Sequence, residues 1–362
     1  MLATTLFPGR YIQGRGAIAR LGTELARLGD RHFLLCSPHA VDHVIPAIVP
    51  ELGEARVESF NRECTDQEIG RLVEAARGYD AKSITAIGGG KALDTAKAVA
   101  HRAGLPVVIV PTIASTDAPC SSICVVYTPE GVFLRADILP RNPDIVLVDT
   151  AIIAAAPVRF LAAGMGDALA TWFEADSCRI SHGRNVAGDV GSMTAYALAR
   201  LCYETVRDWG VAALTACGAG VVTPALERIV EANTLLSGLG FESGGLGAAH
   251  SIHNGLTALA ATHAYVHGEK VAFGLLASLF LTDRPLDVID EVYGICTALG
   301  LPTTFADVGI DGGATAEDLL RVGEKACAPE ECIHNEPAEI SPALVRDALI
   351  AADAEGRRRK MV

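Results

Sequence analysis

Short apolar runs alternate with helical patterns along the first part of the chain. Strands are predicted over residues 32–36, 56–60, 83–87, 106–110 and 144–148. Helical spacing of apolar residues follows several of these runs, as at 92–103, and this alternation indicates a parallel sheet with helical crossovers. Two further runs, 124–128 and 132–137, are separated by Pro129-Glu130-Gly131 and predict a hairpin inserted into that pattern.

After Pro157 the pattern changes to long helices rich in Ala and Leu. Helices are predicted over 160–178, 189–205, 224–237, 248–261, 269–280 and 286–298. Strand signals nearly vanish, and no Gly/Ser-rich or Pro-rich linker separates the two parts. We therefore expect an α/β domain over 1–156 and an all-helical domain over 157–362, with a ligand cleft between them because pockets favour domain interfaces.

Charge and cysteine usage narrow the class of protein. The 362 residues carry 30 Lys+Arg and 43 Asp+Glu, a net charge of −13. This acidic balance argues against nucleic acid and anionic membranes as main partners. The ten cysteines form no CxxC pair, which favours a reducing compartment. No secretory signal or membrane span is recognisable, so a cytoplasmic location is expected.

A glycine-rich turn provides the first candidate for chemistry. Gly88-Gly89-Gly90-Lys91 follows a predicted strand and opens a helix. Glycines leave backbone N–H groups free to face an anion, and a helix N-terminus favours negative charge. We interpret the turn as a phosphate cradle, with a plain strand-to-helix turn as the alternative.

A second glycine motif, Gly14-Arg15-Gly16-Ala17-Ile18-Ala19, matches the dinucleotide-binding pattern G-x-G-x-x-A. The acidic residue expected at the end of the next strand is absent, since Cys36 and Ser37 stand there. We therefore interpret this motif as an ordinary turn before a helix.

The loop at 111–121 is dense in short hydroxyl side chains around one carboxylate, Asp117. It leaves a buried-type strand, and open α/β sheets bind ligands beyond the carboxyl ends of their strands. A ligand-facing loop is the functional interpretation. A loop satisfied by its own side chains is the alternative.

Histidines concentrate in a window without formal charge at 243–268. Four of the chain's ten histidines lie there, namely His250, His253, His263 and His267. Neutral imidazole is the commonest metal ligand, and two histidines with one carboxylate suit catalytic Zn²⁺ or Fe²⁺. Asp167, between flanking glycines, is the candidate carboxylate. The spacing alone leaves open which two histidines bind the metal.

Taken together, these motifs are highly specific. The chain resembles the iron-containing (group III) alcohol dehydrogenases, and within them the glycerol dehydrogenase branch, over nearly its full length. The resemblance is carried by GGGKALDTAK at 88–97, PTIASTDAPCS at 111–121, GMGDALATWFEA at 164–175, VVTPALERIVEAN at 221–233, GFESGGLGAAHSIHNGLTA at 240–258, HGEKVAFG at 267–274 and IHNEP at 333–337.

The resemblance implies a role for each matching residue. Asp167, His250 and His267 would hold the metal, usually zinc, and would act with Asp117 on a polyol substrate. His253 and His263 would lie beside these ligands or in the substrate pocket. The NAD site would comprise Gly88, Gly89, Gly90, Lys91, Ala92, Leu93, Asp94, Thr112, Ile113, Ala114, Ser115, Ser121, Ile123 and Tyr127. Family members form homo-oligomers, often octamers, and the same is expected here.

One position departs from the family pattern. Ser37 stands where an aspartate commonly contacts the adenosine ribose. Without that carboxylate, a ribose hydrogen bond and the repulsion of a 2′-phosphate are both lost. NADP is therefore a second candidate cofactor beside NAD.

The implied activity is oxidation of glycerol, and of related vicinal diols, with hydride transfer to NAD. A dehydroquinate synthase-like lyase and a polyol-phosphate dehydrogenase share the superfamily. Both would need clustered Lys and Arg for an acidic substrate, and the uncharged window at 243–268 argues against them. A non-enzymatic nucleotide or metal sensor is the remaining alternative.

Overall fold

The computed structural model describes residues 1–48, 52–312 and 314–361, and its first half is built on a parallel sheet. In chain order the strands are β1 (Tyr11–Gly14), β2 (Arg31–Cys36), β3 (Glu54–Ser59), β4 (Ser83–Gly88), β5 (Val107–Pro111), β6 (Ile123–Tyr127), β7 (Phe133–Ile138) and β8 (Ile145–Asp149). Six of them form the sheet in the order β1-β8-β5-β4-β2-β3, and every neighbouring pair is parallel. The predicted α/β fold class is confirmed.

The central strands were predictable because both their faces are covered. All residues of β4, β5 and β8 are buried, which explains their unbroken apolar sequences. The predicted hairpin is also present, as β6 and β7 pair antiparallel with Ile123 opposite Ile138. Strand β1 was not predicted from the sequence. Its four residues are only partly buried, and the strand is defined by pairing with β8 at the sheet edge.

Helices connect the strands of the first half, and a series of helices forms the second half. Those of the first half are α1 (Leu21–Leu25), α2 (Pro38–His43), α3 (Ile45–Ile48), α4 (Asp66–Gly78), α5 (Gly90–Ala103) and α6 (Thr150–Ala154). Those of the second half are α7 (Val158–Ser181), α8 (Met193–Gly218), α9 (Pro224–Glu231), α10 (Ser237–Gly244), α11 (Ala248–Leu256), α12 (His267–Leu281), α13 (Leu286–Ala298), α14 (Ala316–Ala326) and α15 (Pro342–Lys360). Within the described ranges, no helix is both long and apolar enough to cross a bilayer.

Helix boundaries in the second half correct several predictions. α13 has the predicted bounds, whereas α8 continues to Gly218, well past the predicted end at 205. Gly210 lies inside α8, at a point where the side chains of Met165 and Leu299 come so close to the helix that a Cβ would crowd them. α11 ends at Leu256, short of the predicted 261. The helix predicted over 224–237 continues through a π-helical turn at Ala232–Leu236 into α10.

The chain's first residues lie against the helical half. Ala3 forms an isolated bridge with Val190, and the backbone N–H of Leu6 donates to Ser243 Oγ at 2.9 Å. Since β1 follows and joins the sheet, this segment connects the two halves.

Candidate metal centre and cofactor cleft

Helices α7 and α12 cross at glycines, which allows their backbones to touch. A Cβ on Gly166 would lie 2.6 Å from the carbonyl oxygen of Gly268, and a Cβ on Gly268 would lie 1.9 Å from that of Ala163. Side chains at these positions would force the helices apart. Asp167, buried on α7, is thereby placed beside His267, the first residue of α12.

Asp167 faces two imidazoles. Its Oδ1 lies 3.2 Å from His267 Nε2 and 3.3 Å from His250 Nε2, the latter on α11. The three candidate ligand atoms lie within 4.8 Å of one another. Two ligands of a tetrahedral zinc ion, each at about 2.1 Å from the metal, are about 3.4 Å apart. The observed separations therefore fit a single small cation between these side chains.

The hydrogen bonding of Asp167 supports the same interpretation. Its Oδ1 is buried and has no hydrogen-bond partner among the described residues. Buried polar atoms in native proteins are normally satisfied, so such an atom calls for a ligand. A divalent cation held by Asp167, His250 and His267 would satisfy it.

The other two histidines of the window are held differently. His253 is buried, and its Nδ1 lies 3.0 Å from Asn254 Oδ1. Burial lowers its pKa well below the usual value, so the ring is neutral; it packs on His267 with 4.3 Å between ring centroids. His263 is exposed, and its Nε2 lies 3.0 Å from the Thr257 carbonyl oxygen. In the structure, His250 and His267 therefore face Asp167, whereas His263 is hydrogen-bonded to the backbone of a nearby residue.

Asp117 adjoins this cluster from the loop that follows β5. Its backbone N–H lies 3.4 Å from Asp167 Oδ2, and its own Oδ2 accepts from Ser237 Oγ at 2.8 Å. Ser237 is hydrogen-bonded in turn to Thr171 at 2.8 Å. Burial, together with the neighbouring Asp167 carboxylate, raises the pKa of Asp117 well above its usual range. Asp117 is thus a fixed, buried carboxyl group beside the candidate metal ligands.

The glycine turn lies at the carboxyl edge of the sheet. β4 ends at Gly88, Gly89 caps α5, and α5 begins at Gly90. A Cβ on Gly89 would press on Ile113 Cδ1 at 3.1 Å, whereas the nearest atom to a Cβ on Gly90 is Thr116 Oγ1, at 4.0 Å. Open space therefore adjoins Gly90 at the helix N-terminus, where a phosphate could approach the first N–H groups of α5.

The loop after β5 faces this turn and is anchored to the helical half. Thr112 N–H donates to the Gly88 carbonyl at 2.9 Å, and Asn233 Nδ2 donates to the Ala114 carbonyl at 3.0 Å. Lys97 Nζ donates to the carbonyls of Ala118 and Ile123 at 2.8 and 2.7 Å. These contacts place the loop between the glycine turn and the candidate metal ligands.

Comparisons with known proteins agree with this architecture. Residues 8–150 match the family described as iron-containing alcohol dehydrogenase. The chain is 58% identical to a glycerol dehydrogenase of Thermotoga maritima, with 99% of each chain covered, and 45% identical to a glycolaldehyde reductase of Halobacterium salinarum, with 97% of each covered. The crystal structure of a probable glycerol dehydrogenase from Sinorhizobium meliloti superposes with a TM-score of 0.93 at 46% identity, covering 99% of this chain and 100% of that one.

The chain belongs to the iron-containing alcohol dehydrogenase family. The resemblance drawn from its motifs is thereby confirmed. Membership also agrees with the arrangement found here, in which a glycine turn and the candidate metal ligands lie on either side of one loop.

Some residues expected at the NAD site have side chains with structural partners in this family member. Lys91 Nζ pairs with Glu63 at 2.6 Å and lies 4.7 Å from the centroid of the Tyr127 ring. Asp94 accepts from Val125 N–H at 3.1 Å and lies 3.2 Å from Lys97 Nζ. Lys91 and Asp94 therefore hold the hairpin against α5, and their side chains are engaged within the protein.

The other residues expected at the NAD site lie in the first turn of α5 or in the loop after β5. Ala92 and Leu93 are buried in the first turn of α5. Ser121 is buried, and its Oγ lies 3.4 Å from the Ala118 carbonyl. Ile113 and Ser115 are partly exposed.

The motif at Gly14 and Gly16 is the ordinary turn that the sequence indicated. The N–H groups of Gly16 and Ile18 both donate to the Asp149 carboxylate, each at 3.0 Å. An anion-binding turn is formed there, but the protein's own carboxylate fills it.

Two carboxylates at the centre of this fold were not identified from the sequence. Glu174 contacts His250, and Glu242 contacts the loop after β5. Helical spacing could have identified Glu174, because it lies seven residues after Asp167 and thus on the same face of α7. The interaction of Glu242 depends on packing between the two halves, for which the sequence carries no local signal.

Proposed function

We propose that this chain is a metal- and NAD-dependent dehydrogenase that oxidises glycerol to dihydroxyacetone. The observation that carries the proposal is the convergence of Asp167, His250 and His267 beside the loop that faces the glycine turn. The relatives named glycerol dehydrogenase support the substrate. The relative named glycolaldehyde reductase supports related vicinal diols as further substrates, because reduction of glycolaldehyde yields such a diol.

The donor set favours a divalent metal with an open coordination position. Two imidazoles and a carboxylate suit catalytic Zn²⁺, and the same set suits Fe²⁺. We take Zn²⁺ as the first candidate. A metal bound there would act as a Lewis acid toward the hydroxyl group being oxidised.

The chain's own residues would position the polyol. Asp167 is fully buried between α7 and α12, which fixes the carboxylate that the two imidazoles face. Asp117, held by Ser237, is placed to orient a neighbouring hydroxyl group of the substrate. The His253 ring, packed on His267, closes one side of the site.

We propose that the NAD pyrophosphate lies against Gly88, Gly89, Gly90 and the first turn of α5. NAD, when bound, supplies the hydride acceptor. Residues 112–115, Ser121, Ile123 and Tyr127 would line the rest of the cleft. Ser37, next to the glycine turn, brings no negative charge to the ribose, and this favours acceptance of NADP as well as NAD.

We also propose that the protein is a cytoplasmic homo-oligomer. An octamer is the expected form, because the motifs resemble those of a branch whose members often form octamers. Phe133, Leu134 and Ile138 of β7 are at least half exposed, which supports an interface between copies. Light scattering of the purified protein would test the number of subunits.

The activity is tested by following reduced cofactor with glycerol and NAD. The metal-stripped protein should be inactive and should recover on addition of Zn²⁺ or Fe²⁺. His267→Ala should lower kcat/KM by about 100-fold or more, the size seen when a group that stabilises developing charge is lost. His263→Ala is the matched control, because His263 lies outside the cluster, and it should stay near wild type. Full activity without metal would contradict the proposal.

A further inference from the structure

A buried carboxylate lies directly behind His250. Glu174 is on α7 and is 1% exposed. Its Oε2 lies 2.6 Å from His250 Nδ1. Its Oε1 accepts hydrogen bonds from the backbone N–H groups of Gly247 at 3.0 Å and of His250 itself at 2.9 Å. One side chain thus contacts both the backbone and the ring of the same histidine.

We propose that Glu174 is a positioning residue for the metal site. It holds the His250 imidazole with a proton on Nδ1, so that Nε2 is free of its proton and faces Asp167 Oδ1 at 3.3 Å. Partners of this kind fix the tautomer and the orientation of metal-binding histidines. The inference rests on the proposed function, since it presumes that a metal binds at His250.

A carboxylate is the side chain that the geometry requires. Three N–H donors converge on Glu174, two on Oε1 and one on Oε2. An amide has one acceptor atom and one donor group, so Glu174→Gln must place its NH₂ against one set of donors. If the NH₂ faces the ring, it donates to Nδ1 and drives the proton to Nε2. If it faces the backbone, the start of α11 loses its partner.

His267 is oriented by other means. Its side chain is about one third exposed, and the ring packs between those of His253 and His250, at centroid distances of 4.3 and 5.4 Å. Its helix start is fixed by Glu269, which accepts from Val266 N–H at 3.0 Å and pairs with Arg159. Loss of Glu174 should therefore act through His250 and the start of α11, and not through the contacts that orient His267.

The chain supplies a matched control at the same helix start. Glu336 is 7% exposed, and its Oε1 accepts from the backbone N–H of Ala248 at 2.8 Å. Like Glu174, it is a buried carboxylate that supports the first turn of α11. Its partner is a backbone amide rather than an imidazole, so Glu336→Gln tests general damage to this turn.

The experiment measures Zn²⁺ affinity by competition with a chromophoric chelator, and the visible spectrum of the Co²⁺-substituted protein. Glu174→Gln should weaken Zn²⁺ binding by about 10- to 100-fold and alter the Co²⁺ spectrum. Glu336→Gln should leave both near wild type. Circular dichroism verifies folding. If Glu174→Gln does not fold, Glu174→Asp, which keeps the charge at shorter reach, should still show weakened binding.

Combined variants separate this inference from the proposed function. Glu174→Gln in a His250→Ala background should bind Zn²⁺ no more weakly than His250→Ala alone, whereas in a His267→Ala background its effect should persist. If His250→Ala weakens binding while Glu174→Gln equals wild type, the positioning role is wrong and the metal site stands. If His250→Ala itself binds like wild type, the proposed metal site is wrong.

Discussion

Glu242 of α10 accepts hydrogen bonds from both the backbone N–H and the hydroxyl group of Ser122, each at 2.6 Å, although the two residues are 120 positions apart. Its other oxygen accepts from Asn142 Nδ2. Burial raises the pKa of Glu242. Ser121 and Ile123, both expected at the NAD site, flank Ser122, so this carboxylate attaches one wall of the proposed cofactor cleft to the helical half.

Removing that carboxylate should destabilise the protein and loosen the cleft. Glu242→Ala leaves the N–H of Ser122 and one N–H of the Asn142 amide buried without a partner, while the other N–H of that amide keeps the Cys120 carbonyl. This loss should cost about 3 kcal/mol of unfolding free energy. It should also raise KM for NAD. Glu204→Ala, which removes a partly exposed carboxylate paired with Arg200 on the surface of α8, should cost about 0.5 kcal/mol or less. Urea denaturation gives both values. Equal losses in the two variants would refute the structural role of Glu242.

Gly90 should tolerate a methyl group in the free protein but not in the complex with NAD. Open space surrounds a Cβ at this position, and alanine favours helix over glycine by up to about 1 kcal/mol, so Gly90→Ala should not lower stability. It should weaken NAD binding by about tenfold or more, a difference of about 1.4 kcal/mol, because the methyl group occupies the phosphate's place. Calorimetric titration measures this Kd.

The control for that variant is Gly294→Ala. Gly294 is exposed in α13, where a Cβ would also meet open space. This variant should gain similar helix stability and bind NAD as wild type does. If Gly90→Ala also leaves the Kd for NAD unchanged, the phosphate does not lie against Gly90.

Ser37 should set the choice between NAD and NADP. Its Cβ lies 3.1 Å from the position of a Cβ on Gly88, and its hydroxyl caps α2 by accepting from Ala40 N–H at 3.3 Å. Aspartate and asparagine are equally good N-caps, so either replacement preserves the helix start. Ser37→Asp should lower kcat/KM for NADP by about tenfold or more through charge repulsion.

Asparagine isolates the charge in that experiment. Ser37→Asn has nearly the same shape as Ser37→Asp and should keep the activity with NADP. The comparison is made from steady-state kinetics with both cofactors. If Ser37→Asp and Ser37→Asn have the same kcat/KM for NADP, residue 37 does not contact the adenosine ribose, and other residues select the cofactor.

Metal removal should lower thermal stability, because the candidate ligands come from α7, α11 and α12. A metal present at 100 times its Kd stabilises the folded state by about 2.7 kcal/mol. Chelation should therefore lower the Tm of the wild type, and readdition of Zn²⁺ should restore it. In Asp167→Asn the chelator should have little effect on Tm. A chelator response of wild-type size in that variant would place the metal elsewhere.

How far the sequence predicts the fold depends on how local the signals are. The buried strands β4, β5 and β8 are predictable, because helices cover both faces and select apolar residues throughout. β1 is not, because its partly buried Tyr-Ile-Gln-Gly sequence forms a strand only by pairing with β8. The glycine at 210 lies within α8 in close contact with Met165 and Leu299, a tertiary contact that no local pattern reveals.

The candidate metal site, too, was predictable only where its signals are local in the sequence. Residue types and the family resemblance point to Asp167, His250 and His267, and the structure places these three side chains together. Spacing alone does not choose among the four histidines. That choice depends on the crossing of α7 and α12 at Gly166 and Gly268, a contact between segments 102 residues apart.

The most direct test of the metal site is a crystal structure of the Zn²⁺-loaded protein, with anomalous diffraction measured on both sides of the zinc absorption edge. We predict one strong anomalous peak at about 2.0–2.2 Å from Asp167 Oδ1, His250 Nε2 and His267 Nε2. A fully loaded, active crystal with its zinc peak elsewhere, or with Asp167 turned away from the ion, would contradict the account.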